Sequence, residues 1–141
     1  MNKLSALTVI IALSLFAACS EDDASSKSGS AEASDNESVA QKTLPELYEH
    51  FEKSGIIIKE KNIKHGSLIG ATSGKSLRIG EGAVEVYQYN LSIESGEEAL
   101  ARLKKRGVMG SAAIVNGNLV LLDTPDHPQW KEIKAAFLAM K

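Results

Sequence analysis

The chain has 141 residues, of which 43% are apolar and 24% charged, the make-up of one ordinary folded domain with extensions. Lys and Arg total 16 against 18 Asp and Glu, a formal charge of -2, which excludes a polybasic nucleic-acid binder and an acidic chaperone tail or calcium buffer. The single Cys, Cys19, excludes an internal disulfide and any Cys-based zinc cage.

Residues 1–18 read as an export signal. Lys3 sits beside the amino terminus, no charge occurs from Leu4 to Ala18, and small residues precede Cys19. The apolar run is shorter than the about 20 residues a membrane-spanning helix needs. A positive start, an apolar middle and a small-residue end form the pattern of a cleaved signal peptide.

Leu15-Phe16-Ala17-Ala18-Cys19 resembles the lipobox of bacterial lipoproteins, with Phe16 where Leu is usual. The resemblance implies cleavage ahead of Cys19, a diacylglycerol on its thiol and, in many diderm bacteria, an acyl chain on its amine. One acyl chain holds a protein marginally, whereas two or three anchor it stably. In the enteric sorting rule an Asp after the Cys retains the protein in the inner membrane. Ser20 therefore points to the outer membrane in a diderm host; in a monoderm host the anchor would lie on the outer face of its one membrane.

After Cys19, the stretch to Ala40 reads as a tether. Ser20 to Ala40 holds seven Ser, six acids and one Lys, with Val39 as its one β-branched aliphatic residue and no aromatic. Such a segment cannot bury enough apolar surface to offset its ordering entropy, so disorder is expected. Pulled straight, its 21 residues would reach about 70 Å. Its net charge is -5, which leaves residues 41–141 with 14 basic and 12 acidic residues. These 101 residues suffice for one modest core.

Within residues 41–141, Thr43-Leu44-Pro45-Glu46 has the form of a capping box with Pro in the first turn. Leu44, Leu47, Tyr48 and Phe51 follow at helical spacing, and Gly55 stops the helix. Ile56-Ile57-Ile58 suits either a short strand or a buried connector, and His65 to Thr72 a short second helix. Lys75 to Asn90 alternates as a hairpin around Gly80-Glu81-Gly82. Pairing Ile79 with Val84 and Leu77 with Val86 puts all four on one face and Arg78 opposite Glu85.

Ser95-Gly96-Glu97-Glu98 opens another helix with a second capping box, and Leu100 and Leu103 mark its inner face. Acids lie near its start, Lys104-Lys105-Arg106 near its end, and Gly107 stops it. Ser111 to Leu122 is a second hairpin about Asn116-Gly117, with the apolar strand Leu119 to Leu122 central. Asp126 caps a last helix with Trp130, Ile133, Phe137 and Met140 on its core face. The expected fold is α+β: a two-layer sandwich with a four-stranded, mainly antiparallel sheet of two hairpins and helices on one face. Gly82-Ala83-Val84-Glu85-Val86-Tyr87 and Asn116-Gly117-Asn118-Leu119-Val120-Leu121 are similar to segments of uncharacterised small lipoproteins of bacterial envelopes, a resemblance that implies no activity.

Gly70-Ala71-Thr72-Ser73-Gly74-Lys75-Ser76 is a poor phosphate loop. It has three residues between its glycines where four are needed, and it leads into a strand rather than a helix. Asp123, Asp126 and His127 are close in sequence, but a metal site needs three or four converging ligands, and helix capping accounts for Asp126. His50 and His65 stand alone. No serine occupies a nucleophile elbow and no Cys beyond Cys19 exists, so no catalytic residue, cofactor or metal is expected. With Leu77 and Val84 facing the helices, Arg78, Glu85, Tyr87 and Tyr89 share the opposite face, as a partner surface or simply as tyrosines covering the open face of a sheet; with the faces inverted they would be core. The Lys104-Lys105-Arg106 cluster either meets anionic lipid or is solvated.

These residues point to a membrane-anchored envelope lipoprotein, acylated at Cys19, whose domain is a non-catalytic interaction module for an envelope protein and not for nucleic acid. A small-ligand binder with a cleft between sheet and helices is the alternative, and an enzyme of another type comes third.

Overall fold

Alternating apolar and polar side chains commit a strand to two faces, and in this chain both faces of the sheet are covered. A computed structural model describes residues 40–141. The expected signal peptide, Cys19 and the tether up to Val39 lie outside the described residues. The elements are α1 (Leu44–Lys53), β1 (Ile58–Lys64), a 3-10 turn (Gly66–Ile69), β2 (Ser73–Ile79), β3 (Gly82–Gln88), α2 (Glu94–Arg106), β4 (Ala113–Asn116), β5 (Leu119–Leu122) and α3 (Trp130–Ala139). They form an α+β fold with one open sheet in the order β1-β2-β3-β5-β4, every neighbouring pair antiparallel.

The sheet has five strands where two hairpins predict four. The additional strand, β1, follows α1 and pairs with β2 from Gly74 to Ile79, with one irregularity between Ile58 and Glu60. Its sequence, Ile58-Lys59-Glu60-Lys61-Asn62-Ile63-Lys64, has no apolar alternation, and every residue after Ile58 is exposed. Pairing with β2, rather than burial, holds it in place, helped by the Lys61 ammonium 4.3 Å from the centre of the Tyr48 ring on α1. Lysines along such an edge discourage pairing with other chains.

The first hairpin is tighter than the sequence suggests. Ile79 pairs with Gly82 and Leu77 with Val84, a shift of two residues from the expected register. Gly80, at φ 58°, takes the first of the two turn positions, where a type II′ turn favours glycine. This closure adds ladder pairs that a four-residue loop would forgo. A shift of two preserves the faces, so Leu77, Ile79, Val84 and Val86 still share one side. It does break the expected cross-strand pair: Arg78 lies opposite Ala83, and Glu85 opposite Ser76. The second hairpin follows the same rule. Its turn is Gly117-Asn118, one residue later than expected, with Gly117 at φ 64° and Asn116 paired to Leu119.

Helices lie on both faces, not on one. α1 and α3 cover the Leu77–Val86 side, where Leu47, Phe51, Leu119, Leu121, Ile133 and Phe137 are buried together. α2 packs on the other side, where Ala99, Leu100 and Leu103 meet Tyr87, Tyr89 and Val120. β5 is therefore buried on both faces along its length, as its unbroken apolar run predicts.

The helix starts also separate sequence from structure. α1 has its full capping box: Thr43 N donates to Glu46 Oε2 at 2.7 Å, and Glu46 N donates to Thr43 Oγ1 at 3.4 Å. In α2 the helix begins at Glu94 with no side-chain cap, so Ser95 lies inside the first turn and its expected capping box does not form. Gly96 is buried there against the Asn90 carbonyl, with no room for a Cβ. α3 starts at Trp130, after a run of turns, and Asp126 is exposed and caps nothing.

One polar node joins the first described residues to the rest. Asn118 is 2% exposed. Its Nδ2 donates to Lys42 O at 2.8 Å and to Tyr89 O at 3.1 Å, and its Oδ1 accepts from Lys42 N at 2.8 Å. Around it, Gln41 Oε1 accepts from Leu91 N at 3.2 Å, and Leu44 N donates to Gln88 Oε1 at 3.1 Å. Asn116 Nδ2 donates to Phe137 O and Met140 O at the end of α3, and Lys42 Nζ donates to Asn116 Oδ1 and Met140 O. Residues Gln41–Thr43 form a strap with no strand of their own, held by borrowed hydrogen bonds.

Asn118→Ala removes three hydrogen bonds, two to the strap and one to Tyr89 O, and leaves buried backbone groups unpaired. The expected loss is about 3 kcal/mol of unfolding free energy, read from the denaturant midpoint at unchanged m. A loss below about 1 kcal/mol would mean that the strap is held by its neighbours alone.

Candidate functional site

The four residues expected to form a partner surface do share one sheet face, but α2 covers half of it. Tyr89 is 0% exposed and Tyr87 5%. Tyr89 lies beneath the 3-10 turn, its hydroxyl donating to Ile69 O at 3.2 Å. The Tyr87 ring lies over Gly74 on the neighbouring strand, where a Cβ would come within 2.7 Å of it. A strand glycine covered by a cross-strand aromatic is a packing device. The two tyrosines are core, and the surface reading of them is corrected: a helix that follows β3 on the far side of the sheet needs an apolar floor, and they supply it.

Arg78 is exposed and Glu85 is half-buried. Both remain on the part of that face that α2 leaves open. Glu85 Oε1 lies 2.6 Å from Lys64 Nζ, and Glu85 Oε2 accepts from the Tyr87 hydroxyl at 2.7 Å. Lys64 belongs to β1, a strand without a sequence signal, so this cluster, which bridges β1 and β3 across β2, could not be read from spacing. Burial pulls the Glu85 carboxyl upward, but the Lys64 ammonium and the Tyr87 hydroxyl more than offset it and hold the group below the usual carboxylate range. Burial and the adjacent Glu85 carboxylate push the Tyr87 hydroxyl upward, and burial pushes Tyr89 up to about 12. At neutral pH the cluster is a neutral phenol and a carboxylate beside an ammonium. It is an arrangement for holding three strands together.

His127 and His50 are occupied in the same structural way. His127 is buried, with Nε2 3.0 Å from Ile79 O, while its Nδ1 accepts from Gln129 N at 3.1 Å. That pattern assigns the proton to Nε2. Its ring fills the space beside Gly82, where a Cβ would collide. His50 Nε2 lies 2.9 Å from Ala136 O, joining α1 to α3, and His65 is exposed. Among the described residues no three His, Cys, Asp or Glu side chains gather as a metal site would require. The Gly70–Ser76 segment is a turn followed by β2, with Gly70 at φ 77° closing the 3-10 turn.

What lies open is a set of surface grooves. One runs beside the strap, with Glu46, His50, Lys53 and Met140 along it. Two more meet at the end of α2. Leu68 and Gly70 face Arg102 and Arg106 across the first, and Lys104, Lys105 and Arg106 face Gly110 and Ser111 across the second. This corner carries the most exposed apolar side chains of the described chain, Leu68 at 91% and Met109 at 102%. The basic run was visible in the sequence. Its apolar neighbours were not, because the 3-10 turn and the loop after α2 come together only in the fold.

Among the described residues no helix is long and apolar enough to cross a membrane. Comparison with protein-family models, with curated proteins and with solved structures gives no match.

Acidification tests the Glu85 cluster. A carboxyl held low in the folded state contributes stability that is present above its ordinary pKa near 4.5 and is lost as pH falls through the folded value. Glu85→Gln is expected to lower stability at pH 7 by less than about 1 kcal/mol, since the group is partly solvated. The variant should also lose less than the parent between neutral pH and the acid range. Thermal melts across that range check this; parallel curves would remove Glu85 from the acid response.

Proposed function

We propose that the chain is a bacterial lipoprotein in which acylated Cys19 and a serine- and acid-rich tether hold a small α+β domain at the envelope, and that this domain works by binding. The observation that carries the reading is the junction at residues 40–43. The low-complexity composition ends at Ala40, and the next residues, Gln41 and Lys42, are fastened at once to Asn90, Leu91, Asn116 and Asn118. A tethered domain needs its attachment segment fixed to the fold, so that load on the tether does not peel the first element away. Here Gln41 and Lys42 reach the β4–β5 turn, the loop after β3 and the end of α3.

Support for binding over turnover comes from how the interior is used. Side-chain clusters fill the layers on both sides of the sheet, and the buried polar groups His127, Asn118 and Tyr89 are engaged with backbone carbonyls. The exposed chemistry lies on the outer rim, in Arg78, in the grooves and in the basic end of α2. Ser20 adds the outer membrane as the destination in a diderm host.

In cells the chain is expected to pellet with membranes and to incorporate labelled palmitate, while Cys19→Ala incorporates none and leaves the pellet. Palmitate retained on the variant would overturn the anchor.

A further inference from the structure

Beyond the anchor itself, we propose that the corner formed by the end of α2, the 3-10 turn and the loop after α2 is a seat for an anionic bilayer surface, which the domain meets through its own face rather than through its acyl chains. The idea deepens the reading above and takes from it only the nearness of a membrane.

Four cations stand on the last turns of α2: Arg102, Lys104, Lys105 and Arg106, all exposed. None takes part in the ion pairs found among the described residues. The acids of the helix, Glu94, Glu97 and Glu98, are at its other end, and each residue along the helix adds about 1.5 Å of separation. The nearest acid on the β4–β5 side is Asp123, whose amide donates to Ala112 O at 2.8 Å. Compensation of the helix dipole explains one or two cations at a C-terminus. It does not explain why large apolar side chains are set beside them.

Leu68 projects from the 3-10 turn across the groove from Arg102 and Arg106. Met109 occupies a two-residue turn closed by the Val108–Ser111 bridge, followed by Gly110. Both turn residues have positive φ, 46° for Met109 and 89° for Gly110. Gly110 suits that geometry; a methionine does not, and it is the one non-glycine residue with positive φ among those described. A strained backbone that presents a fully exposed methionine is the kind of outlier from which function is inferred. Two apolar tips beside unpaired lysines and arginines match the chemistry of a headgroup layer: phosphates for the cations and the acyl boundary for the tips.

The position of the strap and the length of the preceding segment allow this. The strap is fixed at the Asn116 end of β4, and the basic corner begins at the Ala113 end, about 10 Å away along the strand. A segment of 21 residues can span several times that distance. The tether itself, with net charge -5, is a rival occupant on charge alone, but its Ser and acid composition offers nothing to Leu68 or Met109.

The test uses the lipidated full chain, in which Cys19 is blocked, carrying Met109→Cys labelled with an environment-sensitive fluorophore. The chain is placed on vesicles of phosphatidylcholine alone or with phosphatidylglycerol. Flotation with neutral vesicles reads the anchor, and the label reads the corner. The expected result is flotation on both, with a blue shift on anionic vesicles only. The shift should disappear in high salt. Replacing Arg102, Lys104, Lys105 and Arg106 together by Gln should abolish the shift at the phosphatidylglycerol content that gives it in the parent.

Leu68→Cys, labelled in the same way, should report the same and guards against a local effect of the Met109 turn. Flotation without a shift on anionic vesicles overturns the seat and leaves the anchor standing. No flotation on neutral vesicles overturns the anchor, and a shift on anionic vesicles would then sustain the seat alone, its absence overturning both. A shift already present on neutral vesicles, and abolished by neutralising the acids of residues 20–40, overturns the seat in favour of the tether.

Discussion

Everything in the described domain is arranged around the need to satisfy the backbone at the Gly117-Asn118 turn. A strap that joins no strand carries donors and acceptors with no ladder to pair them, and burying them unpaired would cost more than the strap's packing returns. Asn118 answers that need with an amide that offers both donors and an acceptor, two of whose bonds go to a single strap residue, Lys42, and one to the end of β3. Its neighbour Asn116 does the same for the carbonyls left open at the end of α3. The hairpin turn is thus where the strap, the central strands and the last helix meet. Gly117 makes this possible by taking the positive φ, which leaves position 118 for a residue with a side chain.

The second constraint is that β5 is buried on both sides. Once a strand of four apolar residues lies between β3 and β4, one layer of helices cannot cover it. α1 and α3 close one face. The connection from β3 to β4 must then cross the other, which puts α2 over Tyr87, Tyr89 and Val120. The open remainder of that face, toward β1, is polar and is held by the Lys64–Glu85–Tyr87 cluster. The fold is therefore three-layered over its β3-β5-β4 half and two-layered toward β1. That asymmetry decides which sheet residues face solvent.

Much of this was legible in the sequence, for identifiable reasons. α1, both hairpins and the core faces of α2 and α3 carry period signals strong enough to survive errors of detail. The β2–β3 register differs by two residues from the one alternation predicts, yet Leu77, Ile79, Val84 and Val86 keep their face because side chains repeat every two residues. The Ser95 and Asp126 caps were misread because a capping residue is recognised by where its helix begins, and packing moved both starts: Gly96 against the Asn90 carbonyl in α2, and the buried His127 turn ahead of α3. β1 was missed because an edge strand exposed on both faces has no hydrophobic pattern to detect. The tyrosines were assigned to the correct face with the wrong exposure, since sequence alternation gives the side of a sheet but not what lies above it.

The same logic explains why the apolar half of the basic corner was invisible. Leu68 and Met109 are more than forty residues apart, Leu68 in the expected short helix from His65 to Thr72 and Met109 in the loop after Gly107, and nothing in the sequence links the two. They come together because α2 must run back across the sheet from β3 to reach β4, which sets its last turn beside the 3-10 turn that leads into β2. The crossing that buries the tyrosines therefore also assembles the corner. Polar groups that bind the strap gather at the Asn116 end of β4, and cations that pair with no acid among the described residues gather with exposed apolar tips at the Ala113 end. The domain is thus fastened to its strap at one end of a strand and chemically open at the other.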